Sequence, residues 1–277
     1  APMELKKYFF IHCWASVVVI DMVMVVGSVG DGRQRGVGSA VCGLQPWKGA
    51  RRGMRIAGRL GVGERGQLPG LGPLATQVDG FAEYQETEAW TWEHMALTRA
   101  RVVSASPAFK TRIESVVRGI LCQPRDTVLI AGDVVEMRSA IAKEKGDKER
   151  WDLKYVVGGL VDIEFIAQYL QLIHAHRVPD ILDTSTARVL DKAWSLRVLT
   201  VKDAEVLRPA VELYQDLTQI LRLCLPGTFD PKTAGSGLLR LLARAADVPD
   251  FATLEATVIE TQAKVRESFV RILGKAP

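Results

Sequence analysis

The chain has 277 residues, 48% hydrophobic and 25% charged, with a net charge of +4 at pH 7. That length holds one large or two modest domains, and the composition is ordinary for a soluble globular protein. The four cysteines, at 13, 42, 122 and 224, show no CxxC spacing and no nearby histidine partner. Neither a disulfide framework nor a zinc site is indicated, and the thiols are read as reduced. The net charge conceals an asymmetry. Residues 1–70 carry 10 Lys/Arg against 4 Asp/Glu, which leaves 26 against 28 for residues 71–277.

Residues 1–26 place Lys6 and Lys7 before an apolar run from Tyr8 to Val26. Its shape is that of a signal peptide or a single span, but His12 and Asp21 lie inside it and no small-residue cleavage site follows. A charge in mid-span is costly, so no membrane role is assigned. Residues 27–70 hold 13 of the 24 glycines and seven arginines, and no helical or strand period lasts more than a few residues. Such a tract can contact nucleic-acid phosphates, but only Trp47 offers a stacking platform, and no nucleic-acid partner is assigned. The Gly36–Ser39 cluster lacks the Lys-Ser/Thr of a phosphate loop. Residues 1–71 are left unassigned: irregular and disordered by composition, or the out-of-frame product of a GC-rich gene.

From Asp79 the pattern changes. Phe81, Tyr84 and Ala89 open a helical stretch, and Trp90, His94 and Leu97 continue one at i, i+4 and i+7. Arg99–Val103 reads as a short strand. Ser106-Pro107 starts a helix whose face is Phe109, Ile113, Val116 and Ile120, since proline suits the first turn. A turn at Gln123–Asp126 leads to a helix with Val128, Val135 and Ile141, which ends in the charged, solvated run Lys143–Arg150.

Gly158 and Gly159 then run directly into Ile163, Ile166, Leu170 and Ile173, one apolar face at i, i+3, i+7 and i+10. Glycine lets backbone or a ligand approach closely, and the first free N–H groups of the helix form a potential anion site. Asp162 and Glu164 diverge by about 200° and cannot clamp one ion. Asp183-Thr184-Ser185 caps the next helix, which presents Val189, Leu190 and Trp194. Thr200–Asp203 is a near capping box opening a long helix with Leu207, Val211, Tyr214, Leu217 and Leu221, into which Pro209 introduces a kink. Leu238, Leu239 and Leu242 mark a short helix. The last, capped by Asp250, carries Phe251, Val258, Val265 and Ile272 at heptad spacing. These stripes are read as core, and the fold class as mainly α, with a helical bundle over 151–277.

The segment GGLVDIEFIAQYLQL resembles the bacterial glutamine synthetase adenylyltransferase family. The likeness continues upstream through GPLATQVDGFAEYQETEAWTWEHMALTRARVV and downstream through PDILDTSTARVLD and LYQDLTQILRLCLPG, covering roughly residues 72–275. The wording Ala89–His94 is similar to the C-terminal, adenylylating half of these two-headed enzymes. The resemblance implies that 72–150 is the C-terminal remnant of an α+β nucleotidyltransferase domain ahead of the bundle. It also implies ATP and Mg²⁺ as cofactors, glutamine synthetase as protein substrate, a PII-type signal protein as a further partner, and a cytoplasmic location.

The family's catalytic carboxylates are not carried over, because Glu64 is the sole acidic residue between Asp31 and Asp79. No catalytic and no metal-binding residue is therefore assigned. What carries over is the flank: Trp90, Trp92, Glu93 and Arg99 in the first motif. Arg101, Lys154, Gly158, Gly159, Asp162 and Glu164 are the nucleotide-binding candidates, since fixed cations and a helix start attract phosphate. Trp90 and Trp92, two apart, face different sides, and so do His174 and His176, which receive no metal. Cys122 and Cys224 are read as buried small hydrophobes. The expectation is an adenylyltransferase fragment without transfer activity of its own. The alternative is a non-catalytic helical module that binds glutamine synthetase or a PII-type regulator. A third reading, a basic-tailed nucleic-acid or membrane binder, rests on residues 27–70.

Overall fold

The computed structural model describes residues 23–26, 39–43 and 76–274. The expected irregularity of residues 1–71, their frame and the phosphate-binding reading of 27–70 fall mainly outside the described residues. Within that range, Val23–Val26 (β1) and Ser39–Gly43 (β2) are strands. The chain divides into two compact units, residues 1–123 and 124–277.

In the first unit β1 pairs antiparallel with β2, and β2 pairs antiparallel with β3 (Thr76–Gln77). The other edge of β1 runs parallel to β4 (Arg101–Ser104), giving the sheet order β3-β2-β1-β4. Helices α1 (Val78–Thr87), α2 (Thr91–Leu97) and α3 (Pro107–Leu121) complete the described part. Helix α3 packs on α1, α2 and β4. Of the expected faces, Phe81, Leu97, Ile113 and Ile120 are buried, whereas Tyr84, Ala89, Trp90, His94, Phe109 and Val116 are half-buried; Met95, which the pattern did not single out, is completely buried. Pro107 does stand in the first turn of α3, with Ser106 at the N-cap.

The second unit is all helical: α4 (Thr127–Lys145), α5 (Leu160–His174), α6 (Thr186–Ser195), α7 (Val201–Cys224), α8 (Ser236–Ala245) and α9 (Phe251–Leu273). A short 3-10 turn at Pro179–Ile181 breaks the chain after α5. This unit begins ahead of the division at 150 suggested by the sequence, because α4 packs on α5 and α9. Three caps behave as their chemistry dictates. Asp126 accepts from the Val128 and Leu129 amides, Asp250 from Thr253, and Thr200 from Asp203. The Thr200 hydroxyl also donates to the Asp203 carboxylate at 2.6 Å, a side-chain bond in place of the reciprocal bond from the Thr200 amide that a capping box would have. Ser185 is the N-cap of α6 but offers no side-chain bond; Asp183 instead accepts the Ser185 amide at 2.9 Å.

Helix α5 is the centre. It contacts α4, α6, α7 and α9, and every residue from Leu160 to Ile173 except Glu164 is buried. A four-residue apolar stripe therefore understates it: a helix covered on all sides has no polar face to preserve. On α9 the central stripe residues Val258 and Val265 are completely buried, whereas Phe251 and Ile272 at its two ends are half-buried; Phe269, outside the stripe, is completely buried as well. Trp151 stacks on Phe251 at 5.0–5.2 Å from the rings of Phe229 and Phe251, closing the loop before α5 over the start of α9. Pro209 lies inside α7 and is exposed. The cysteine reading is corrected: Cys122 is half-buried and Cys224 exposed, because Cys224 ends α7 beyond the last buried turn. Among the described residues no helix is long and apolar enough to cross a membrane.

Candidate functional site

The Gly158-Gly159 entry to α5 gathers five of the six nucleotide-binding candidates, and its geometry is determined by what glycine omits. Gly158 has φ +76°, a left-handed backbone that glycine adopts at little cost. A Cβ there would stand 1.9 Å from the Gln262 carbonyl oxygen on α9, and one on Gly159 would stand 2.6 Å from the Leu153 carbonyl oxygen. Both spaces are filled by protein backbone. The glycines allow a helix and a loop to press against each other.

The N–H groups at the start of α5 are equally occupied. Leu160 donates to the Leu153 carbonyl at 2.8 Å, Val161 to Lys154 at 3.1 Å, and Asp162 to Gly159 at 3.1 Å. The expected outward-facing anion donors are therefore turned into the chain. The loop 151–159 folds back as the helix's own cap.

Asp162, on the first turn of α5, is completely buried and forms an ion pair with the buried Arg138 of α4, whose Nε donates to Oδ1. The other carboxylate oxygen accepts the Gly158 amide at 2.8 Å and lies 3.6 Å from Nη1 of Arg266 on α9. Arg138 also donates through Nη2 to the carbonyls of Tyr155, at 2.9 Å, and Val156, at 3.2 Å. One carboxylate thus ties α4, the loop, α5 and α9 together. Burial first, and then the negative charge of Asp162, push the Tyr214 phenol of α7 well above its ordinary value. Gln262 adds a further tie, donating through Nε2 to the Arg150 carbonyl at 2.9 Å.

Lys154 and Glu164 lie on the outer side of this knot. Both are half-buried, and the Lys154 ammonium sits 4.8 Å from the centre of the Tyr155 ring. Burial, then the charges of Asp152 and Glu164, raise the Tyr155 phenol. The structure thus separates Asp162, turned inward, from Glu164, as the i, i+2 spacing requires. Arg101 and the first-motif flank belong to the other compact unit. Arg101 is exposed on β4, Arg99 half-buried just before it, and both have partners. Trp90 is the N-cap of α2 and Trp92 lies in its first turn, both half-buried. Glu93 has a plain structural duty, accepting the Trp90 amide at 2.8 Å and the Tyr84 hydroxyl at 2.7 Å.

Sequence reasoning missed Arg138, Gln262 and Arg266. Arg138 carried a readable signal: it falls between Val134 and Ile141 on the buried side of α4, where a lone charge demands a partner. Nothing in the heptad stripe of α9 distinguishes Gln262 or Arg266. Among the described residues no three His, Cys, Asp or Glu side chains group so as to hold a metal ion.

Residues 69–116 match the family described as glutamate-ammonia ligase adenylyltransferase, and residues 135–269 match that described as GlnD PII-uridylyltransferase. Over 203 residues the chain is 63% identical to the bifunctional glutamine synthetase adenylyltransferase/adenylyl-removing enzyme of Rhodopseudomonas palustris strain BisB5, covering 73% of this chain and 20% of that protein. The enzyme of the same name from Bradyrhizobium diazoefficiens is 59% identical over 207 residues, covering 74% of this chain and 21% of the relative. That of Xanthobacter autotrophicus is 53% identical over 205 residues, with the same two shares. The chain spans about a fifth of the length of these relatives.

Proposed function

We propose that this chain, a member of the glutamine synthetase adenylyltransferase family from about residue 72 onward, supplies the C-terminal part of an enzyme that moves AMP from ATP to a tyrosine of glutamine synthetase. The observation carrying this reading is the match to three such enzymes at 53–63% identity, which takes in about three quarters of the chain. The assignment to the adenylylating half rests on the Ala89–His94 wording, and a cytoplasmic setting follows from the reaction's protein substrate.

In this reading the two motifs differ in role. Gly158, Gly159 and Asp162 hold α5 to the loop, to α4 and to α9, so they position the bundle and do not touch nucleotide. Lys154 is the side chain of the helical unit proposed to meet the phosphate end, because a fixed cation suits that charge. ATP and Mg²⁺ are the cofactors of the proposed reaction. Bound Mg²⁺ stabilises charge on the attacking and leaving oxygens of a phosphoryl transfer. Glu64, the lone acidic side chain between Asp31 and Asp79, is no substitute for a carboxylate pair.

The chain alone is therefore proposed to bind ATP weakly at best and to transfer no AMP. Incubation with labelled ATP, Mg²⁺ and glutamine synthetase tests this. Label on the synthetase that disappears with Glu64→Gln overturns the assignment of an inactive fragment. A second reading is favoured by the match of residues 135–269 to a PII-uridylyltransferase: the helical unit is a docking module for glutamine synthetase or a PII-type protein. Retention of purified glutamine synthetase or PII by the immobilised chain, without label transfer, supports that reading, and retention of neither excludes it.

A further inference from the structure

A groove runs along α9 on the outer side of the Asp162 knot. It encloses about 530 Å³ and is lined by Val157 from the loop and by Ala263, Arg266, Glu267 and Val270 from the helix. These α9 positions stand at i, i+3, i+4 and i+7, so the groove follows one helix face for about 10 Å. Its walls are mainly apolar and open, with Val157 37% exposed; Ile259, one turn ahead of Ala263 and outside the groove, is 43% exposed.

The charges in the groove are not equally satisfied. Arg271 is bound to the buried Asp203 and to the Ser268 hydroxyl at 3.0 Å, and Glu267 lies within its field. Arg266 differs. It donates no hydrogen bond among the described residues, approaches Asp162 only to 3.6 Å, and packs its guanidinium 4.9 Å from the Phe269 ring. Asp162 pairs with it at that distance while accepting its hydrogen bonds from Arg138 and the Gly158 amide, so the Arg266 N–H groups are left without an acceptor among the described residues. Arg266, with 30% of its side chain in solvent, therefore presents N–H donors in the middle of an apolar stripe. A planar guanidinium in such a position is completed by a carboxylate, which it can take bidentately.

We propose that this groove docks a helical segment of a partner protein that carries an acidic side chain within an apolar face. The apolar residues of that segment cover Val157, Ile259 and Val270, and its carboxylate pairs with Arg266. An elongated, open channel along a helix suits another helix, in the manner of helix-in-groove recognition, whereas a small carboxylate would stay largely uncovered. A central arginine ringed by apolar contacts is also the arrangement in which a single residue dominates an interface.

The probe is a fluorescein-labelled helical peptide of about 15 residues with leucines at i, i+4 and i+7 and one central glutamate, titrated against the full chain. Glutamine and lysine twins of the peptide serve as comparisons. We expect the glutamate peptide to bind, and to lose about tenfold or more in affinity with either twin or with Arg266→Gln. Arg266→Gln leaves the affinity of the glutamine peptide unchanged. If Arg266→Gln does not fold, Ala263→Glu takes its place: the site is exposed, and the added carboxylate should abolish binding of the glutamate peptide alone. Equal binding of the glutamate and lysine peptides, or no binding by any peptide at about 1 mM, overturns the proposal. So does acetate competing as well as the peptide, which would make the groove a site for small carboxylates.

Discussion

Replacing Asp162 with asparagine removes one charge and almost no volume from the point where four segments meet. Arg138 then keeps its hydrogen bonds to the Tyr155 and Val156 carbonyls but loses its counter-charge. Its side chain is 5% exposed, so water cannot replace the carboxylate. Breaking a buried pair in this way costs about 3–5 kcal/mol, whereas exposed pairs contribute about 0–1 kcal/mol. Exposed pairs such as Lys110 with Glu114 are accordingly expected to be near neutral. For a unit of this size each kcal/mol shifts the midpoint by roughly 2–4 °C, so Asp162→Asn should melt about 10 °C lower. Circular dichroism melts of the full chain measure the shift. The double change Arg138→Met with Asp162→Leu removes both charges, and its loss should fall short of the summed single losses by about 2 kcal/mol or more. A melt of Asp162→Asn within about 2 °C of the parent, or strict additivity in the cycle, refutes the claim that this pair fastens the bundle.

Gly158→Ala should cost about 2–4 kcal/mol, since positive φ and the Gln262 carbonyl both oppose a methyl group. Gly146→Ala, at φ +79° with open space around the new Cβ, should cost only about 1 kcal/mol; equal losses in urea titrations would show that the close approach to α9 is unimportant. Val258→Asp or Val265→Asp places an unpaired carboxylate at a position that is 0% exposed and should cost about 3 kcal/mol or more, read as a lower urea midpoint. Acid should weaken the bundle at two clasps. Burial alone would raise the Asp183 carboxyl, but bonds from Arg188, the Ser185 amide and Lys192 outweigh it and hold it at about 2, against an ordinary 3.8. Burial likewise opposes, and Arg271, Thr200 and Ser268 overcome, at Asp203, which is also lowered. A depressed carboxylate contributes above its unfolded value and loses that contribution as pH falls through the folded one. Stability should therefore drop between pH 3.8 and about 2, and Asp183→Asn should flatten that part of the stability–pH curve.

The helical architecture was legible because its evidence is local. Caps at Thr200 and Asp250, the proline at 107 and the stripes through Leu207–Leu217 and Val258–Val265 each depend on residues a few positions apart. The candidate site was legible only in its location. That Gly158 and Gly159 permit a close approach could be read; that the approaching object is the Gln262 backbone could not, since Gln262 lies on another helix. The same distance hid the role of Asp162. A carboxylate on the first turn of a helix has a sufficient local explanation in the helix dipole, and only the fold brings Arg138 and Arg266 to it. Cys224 failed for the opposite reason: cysteine's preference for the interior is an average, and the end of α7 is outside the core.

The complete enclosure of α5 has a consequence for synthesis. The helix leaves the ribosome before α6, α7 and α9, the segments that cover it. About 100 residues separate its end from the end of α9, or about 5–20 s at ordinary elongation rates. During that interval a helix with almost no polar side stands uncovered, next to a carboxylate and a guanidinium that are already able to find each other. Pairing of Asp162 with Arg138 during this interval gives the nascent chain a correct α4–α5 hairpin onto which the later helices can close. A premature stop ahead of α9 leaves that apolar surface bare for good, so such a product is expected in the pellet or in the hands of a chaperone.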